Sequence, residues 1–216
     1  MTLVKGADGR RRCSWCAGSP DYLAYHDEEW GRPVVDDTKL FEKLCLEGFQ
    51  SGLSWLTILR KRENFRRAFD GFDFARIARY TERDVTRLLN DAGIVRQRAK
   101  IEAKIANARA MSALRATHGS DGSLASVMWS FEPPRRGRGT PKQLGDIPAV
   151  TAESTALARE LKRLGFRFVG PTTAYAAMQS LGLVNDHFDG CHLRGACTTA
   201  RRTLDPTIRA LRNRRD

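Results

Sequence analysis

Apolar residues recur along most of this chain three and four positions apart, the spacing of amphipathic helices. Asp36, Asp37 and Thr38 offer N-cap choices for a helix whose Leu40, Phe41, Leu44 and Cys45 share one stripe. Leu56, Ile58, Leu59, Phe65 and Phe69 repeat the style beyond a break at Gly52. Thr81 and Asp84 open another helix in the manner of a capping box, leading to Val85, Leu88 and Leu89. The Ala-rich segment Lys100–Leu114 aligns Ile101, Ile105, Ala108 and Met111, and Thr151–Leu164 and Thr172–Leu181 complete the set. Phe166–Val169 alternates like a strand but is too short to build a sheet. The pattern predicts an all-α fold.

At 216 residues, 41% of them hydrophobic, the chain has enough length and apolar content for one domain of two intimate lobes. Residues 1–12 are polar and basic and read as a flexible leader. Residues 13–197 carry the helical pattern. Residues 198–216 read as a basic, largely solvated tail with one amphipathic stretch at Thr207–Leu211. Glu132–Pro148, rich in proline and glycine, reads as a positively charged surface loop, with a DNA-facing loop as the alternative.

Charge narrows the function. Thirty-seven Lys+Arg against 25 Asp+Glu leave +12, which favours a polyanion such as nucleic acid. The sequence lacks the long apolar run of a membrane span and has no apolar stretch after its first charges, so a soluble, cytoplasmic monomer is expected. Five cysteines, an odd count, argue for reduced thiols and against a disulfide framework.

Three groups of residues carry candidate chemistry. Leu88–Ile101 reads as helix, glycine turn at Gly93, and second helix from near Arg96. Such a turn leaves backbone N–H groups suited to a phosphate, with Arg96, Arg98 and Lys100 adding charge. An ordinary helical corner is the alternative. Glu47 falls about 20° from Leu40 on a helical wheel and so faces the core, where a carboxylate needs donors or a cation. It either bridges locally at the helix end or belongs to a site. Trp15, Tyr22, Tyr25 and Trp30 crowd the N-terminal segment and Trp55 follows Gly52. With a carboxylate, such rings suit a flat cation, although packed core is the default for them. Finally, Cys13 and His26 near one end and His187 and Cys191 near the other would make a tetrahedral Cys₂His₂ site. A rival set replaces His26 with Cys16, and His192 and Cys197 are spare candidates. Cys45 reads as core.

Together these residues resemble the type I 3-methyladenine DNA glycosylases, over roughly Cys13 to Cys191. The resemblance rests on CxW…YxxYHDxEWG (Cys13 to Gly31), KLFEKLCLEGFQSGLSWLTILRKRENFRRAF (Lys39 to Phe69), DAGIVRQRAKI (Asp91 to Ile101) and GFRFVGPTTAYAAMQSLGLVNDH…C (Gly165 to Cys191). It implies a helix-hairpin-helix glycosylase fold whose ends are joined by one structural Zn²⁺ on Cys13, His26, His187 and Cys191. It implies that Glu47 hydrogen-bonds the extruded base, that Tyr25 and Trp55 line the pocket, and that Trp15, Tyr22 and Trp30 support it. Leu53, beside Gly52, becomes the wedge near the gap left by the base. Cys16 lies outside the family's pattern, as do the leader, the tail and the Pro/Arg loop. The expected activity is hydrolytic excision of 3-methyladenine from alkylated double-stranded DNA. No lysine nucleophile is carried over, so strand cleavage is not expected. A non-catalytic, zinc-stapled binder of damaged duplex is the alternative, and a zinc hydrolase is disfavoured by a closed four-ligand set.

Overall fold

A computed structural model of the chain describes residues 2–118, 123–135 and 138–213. Two short strands, β1 (Leu3–Lys5) and β2 (Arg11–Cys13), pair antiparallel with Leu3 opposite Cys13. Helix α1 (Pro20–Glu28) starts from the Ser19 hydroxyl, with proline in its first turn. Of the three N-cap choices, Asp36 is the one used. Its carboxylate accepts from the Lys39 amide at 2.9 Å and opens α2 (Asp37–Gln50). Ser54 caps α3 (Trp55–Ala68), and the short α4 (Phe74–Ile77) follows Asp73. The expected box closes with Asp84 accepting from the Thr81 amide at 2.9 Å, at the head of α5 (Glu82–Asn90). The Gln97 side chain accepts from the Lys100 amide at 2.6 Å and opens α6 (Arg98–His118). The remaining helices are α7 (Leu124–Trp129), α8 (Ala152–Arg163), α9 (Pro171–Ser180), α10 (His192–Thr203) and α11 (Asp205–Asn213).

Helix α2 is the axis of the molecule and packs against α3, α6, α7 and α9. Its stripe buries Leu40, Phe41, Leu44 and Cys45 as its spacing requires. Beneath its last turn, the rings of Phe49, Phe65, Phe69 and Phe72 meet at centroid distances of 4.6 to 6.3 Å. The fold is mostly helical, and β1–β2 is the one sheet among the described residues.

Both chain ends depart from expectation. Residues 3–13 form a hairpin in place of a flexible leader. Arg12, 5% exposed, ties it to α1 through Asp27 at 2.7 Å and holds Asp8 at the same distance. The segment expected as a solvated tail is helical through Asn213. Ile208 is buried, α11 packs on α7, and Arg212 donates to the Trp129 carbonyl at 2.8 Å. Residues 136 and 137 of the Pro/Arg loop and 214–216 of the tail lie outside the described residues.

Candidate functional site

Tyr25 on α1, Glu47 and Gln50 on α2, and Trp55 at the head of α3 converge on a cavity of about 450 Å³. Trp15, Tyr22 and Trp30 complete one side, so all five predicted aromatics line it. Trp15 meets Trp30 edge-on at 5.0 Å and Tyr22 at 6.0 Å, which locks the rings against one another. The Tyr22 hydroxyl accepts from the Leu56 amide at 3.1 Å, satisfying a free donor of the first turn of α3. The opposite wall was not foreseen. It comprises Thr172, Tyr175, Ala176 and Gln179 of α9, with Leu144 and the segment 147–149. The Pro/Arg loop, expected at the surface, therefore contributes to the cavity. Arg138 anchors it by donating to Asp186 and to the Tyr175 hydroxyl, both at 2.6 Å. Tyr175 and Gln179 both hydrogen-bond Asp186, and polar residues four apart on one helix face were the available signal.

Glu47 is the one acidic side chain lining this cavity among the described residues, and it is 6% exposed. Its Oε1 lies 2.9 Å from the Nζ of Lys43, one turn earlier. The two sequence alternatives thus coexist: the carboxylate faces the cavity and also bridges locally. The same ammonium donates to the Tyr25 hydroxyl at 2.6 Å and sits 3.5 Å from the centre of a Trp55 ring. Burial alone would lower the Lys43 pKa, but Glu47 and Tyr25 beside it outweigh burial and raise it. The Tyr25 hydroxyl is itself pushed up by burial and keeps its proton. The Trp55 indole N–H is buried without a partner among the described residues.

The turn after α2 places Gly52 at φ 80°, a conformation that favours glycine, and leaves Leu53 42% exposed. Lys100 is not at the surface beside a phosphate. It is buried, and its Nζ donates to the Phe49 carbonyl at 2.9 Å and to that of Ser51. A cation there satisfies the carbonyl end of α2 and secures the turn that carries Leu53. Arg98 is exposed but pairs with Glu82 at 2.7 Å and Glu102 at 3.2 Å. Arg96 is exposed, with no side-chain partner among the described residues. Gly93 donates its N–H to Asp91 at 2.7 Å, while its carbonyl accepts from Asn64 and Lys61 of α3. A Cβ at this position would come within 2.9 Å of the Asp91 carboxylate and 3.1 Å of Asn64, so the Asp91 turn and the close approach to α3 together favour glycine.

Cys13, His26, His187 and Cys191 gather as one fully buried group, their ligand atoms within 4.8 Å of one another. Cys191 Sγ lies 3.5 Å from His26 Nε2 and 3.6 Å from His187 Nδ1, and Cys13 Sγ lies 3.8 Å from the latter. The outer ring nitrogens are held as a metal site requires: His26 Nδ1 by Asp27 at 2.8 Å, His187 Nε2 by the Trp30 carbonyl at 3.0 Å. The Phe188 amide donates to Cys13 Sγ at 3.2 Å. The rival Cys16 turns away and donates to the Cys13 carbonyl, while His192 bonds the Arg11 carbonyl and Cys197 stands apart from the group. The contact between the two sulfurs, followed by burial, pushes the Cys13 thiol up; the same contact holds Cys191 down. Two clustered sulfurs and two oriented imidazoles are the donor set of a cation, and this group could hold a metal ion.

A family model described as methyladenine glycosylase matches residues 15–194. The chain is 48% identical over 182 residues to DNA-3-methyladenine glycosylase 1 of Escherichia coli, covering 83% of this chain and 95% of that protein. It is 44% identical over 180 residues to the DNA-3-methyladenine glycosylase of Haemophilus influenzae, covering 83% and 96%. Among solved structures, a crystal structure of 3-methyladenine DNA glycosylase I aligns with a TM-score of 0.79 at 50% identity, over 84% of this chain and 98% of that one. The Staphylococcus aureus glycosylase, studied for its recognition of 3-methyladenine, aligns with a TM-score of 0.77 at 33% identity, over 85% and 96%.

Proposed function

The chain belongs to the methyladenine glycosylase family, and on that premise we propose that it excises 3-methyladenine from alkylated double-stranded DNA by hydrolysis. The observation that carries this reading is the ring-walled cavity with Glu47 as its acidic group. The nucleotide is flipped out of the duplex at a cost of ~ a few kcal/mol and its base enters the cavity. There the free side of the Glu47 carboxylate accepts from the base, while aromatic faces suit a flat ring that carries positive charge.

Methylation at N3 makes the base a cation while it is still attached to deoxyribose, so little acid catalysis is needed. Cleavage of the C1′–N9 bond sends its electron pair to the base, which leaves neutral. The oxocarbenium-like sugar is stabilised by nearby negative charge, and water adds at C1′ with loss of a proton. Lys43, which contacts Glu47 and Tyr25 of the cavity wall, is held protonated by them and has no lone pair for attack, which supports a monofunctional glycosylase without strand cleavage.

Helices α5 and α6 with the turn at Gly93 serve as the hairpin that grips the phosphate backbone, with Arg96 contributing charge and Leu53 entering the gap. Zinc is the metal that suits the four-residue group. Tetrahedral Zn–S and Zn–N bonds of about 2.3 and 2.0 Å put sulfur and nitrogen about 3.5 Å apart, against 3.5 to 3.8 Å for three of the sulfur–nitrogen pairs here, in a group that spans at most 4.8 Å. With four protein ligands such an ion cross-links the chain's two ends and supplies no catalytic water. Incubation with methylated duplex should release free 3-methyladenine, and Glu47→Gln should suppress that release. Tight binding of damaged duplex with no base released overturns the reading.

A further inference from the structure

The cavity and a second one, of about 630 Å³, share a partition built from Tyr25 and Trp55. Glu47 lines the first cavity and Lys43 the second. The ammonium therefore stands behind the partition and reaches through to the carboxylate at 2.9 Å, covering Trp55 from the rear at 3.5 Å. Only Oε1 of Glu47 is taken, and no protein group among the described residues donates to Oε2. On Tyr25 the ammonium donates to the phenol oxygen at 2.6 Å, so that oxygen is an acceptor and its single O–H remains for the cavity.

We propose that Lys43 is a positioning residue for base recognition: it keeps Glu47 ionised and turns one carboxylate oxygen and the Tyr25 proton toward the extruded base. This rests on the glycosylase reading above. A carboxylate 6% exposed needs a cation or several donors to stay charged, and Lys43 supplies both the charge and a hydrogen bond. The pair has no net charge. Discrimination for the alkylated base therefore comes less from long-range attraction by a lone anion than from a fixed acceptor, a fixed donor and ring faces.

The other ionisable groups near Glu47 come from α1, α9 and α6. Tyr25 from α1 and Tyr175 from α9 are both raised, chiefly by burial, and Tyr175 lies against the Asp186–Arg138 pair. Glu29 on α1 is engaged by Arg62. Lys104, packed against Gly48 and Cys45, is common to all the proteins compared and cancels between them.

The test is the pH profile of single-turnover 3-methyladenine release for wild type, Lys43→Met, Lys43→Gln and Lys43→Arg, with each fold checked by thermal melting. Lys43→Met should lose release at the acid end of the profile and recover toward the alkaline end, its rising limb displaced to higher pH than that of wild type. Lys43→Gln, which keeps a donor but no charge, should move the limb the same way, and it carries the test if the methionine protein melts too low. Lys43→Arg should keep the wild-type profile. A Met or Gln variant with the wild-type profile, or one reduced by the same factor at every pH, overturns the proposal. Wild type that releases no 3-methyladenine at any pH instead overturns the glycosylase reading itself.

Discussion

Lys43 on α2 and Lys104, packed against that helix, sit in opposite electrostatic situations. Lys43 has Glu47 and Tyr25 as partners and is raised. Lys104 is fully buried, its Nζ has ring faces of Phe49 and Phe168 nearby but no hydrogen-bond partner among the described residues, and burial lowers its pKa from 10.5 to about 8. Between those values the unfolded chain binds more protons than the folded one, so stability rises as pH climbs from about 8 to 10.5. Below pH 8 the full cost is present, on the order of 3 kcal/mol. Lys104→Met should therefore raise Tm at pH 7, by about 2–4 °C per kcal/mol recovered, and flatten the rise in stability at alkaline pH. Melting curves across pH check both, and a lower Tm for this variant would show that the ammonium is satisfied after all. At this scale Glu47 was legible because a helical wheel leaves it no route to solvent. Lys43, about 60° from Leu40 on the same wheel, was equally placed but was not singled out, because a long lysine stem can carry its charge to water from a half-buried position. Lys100 misled for the converse reason: its sequence neighbours are exposed arginines, and only the packing of α6 under α2 turns its charge inward.

Among the elements, those with a side-chain cap and an apolar stripe were legible to within a few residues, as α2, α5 and α8 attest. The hairpin of β1 and β2 was not. Strands of three residues carry no period, and what holds this one is Arg12 reaching Asp27 fifteen positions away. Helix α10 was hidden likewise by Gly195 and its threonines, and α11 showed only as the Thr207–Leu211 stretch. The hairpin between α5 and α6 has a corresponding test. Arg96→Ala should lower affinity for duplex DNA and reduce the salt slope by about one contact's worth, ~0.9. Lys100→Met should leave that slope unchanged, because its charge is held by the Phe49 and Ser51 carbonyls. Equal loss of slope in both variants would place Lys100 at the phosphate backbone.

For the whole molecule, residues more than 150 positions apart meet at the Cys13–His26–His187–Cys191 group, which joins β2 and α1 to the approach of α10. That a Cys/His group would unite the ends was legible through the family resemblance. Spacing alone left Cys16 in contention, and its rotation toward the Cys13 carbonyl is visible only in three dimensions. Metal analysis should find one zinc per chain that His26→Ala loses and Cys16→Ser keeps, and chelation should lower Tm; the reverse pattern would move the site to Cys16. Some of the basic side chains behind the net charge of +12 are engaged internally, Glu132 alone gathering Arg135, Arg201 and Arg212. The net positive charge supports attraction to DNA, while the proposed choice of base belongs to the cavity. Chromatography of bases freed from methylated duplex tests that choice most directly. Wild type should release 3-methyladenine and leave 7-methylguanine in place. Folded Glu47→Gln should release it about 10- to 100-fold more slowly, as expected for a lost charge-assisted hydrogen bond. Release by that variant at the wild-type rate would contradict the account.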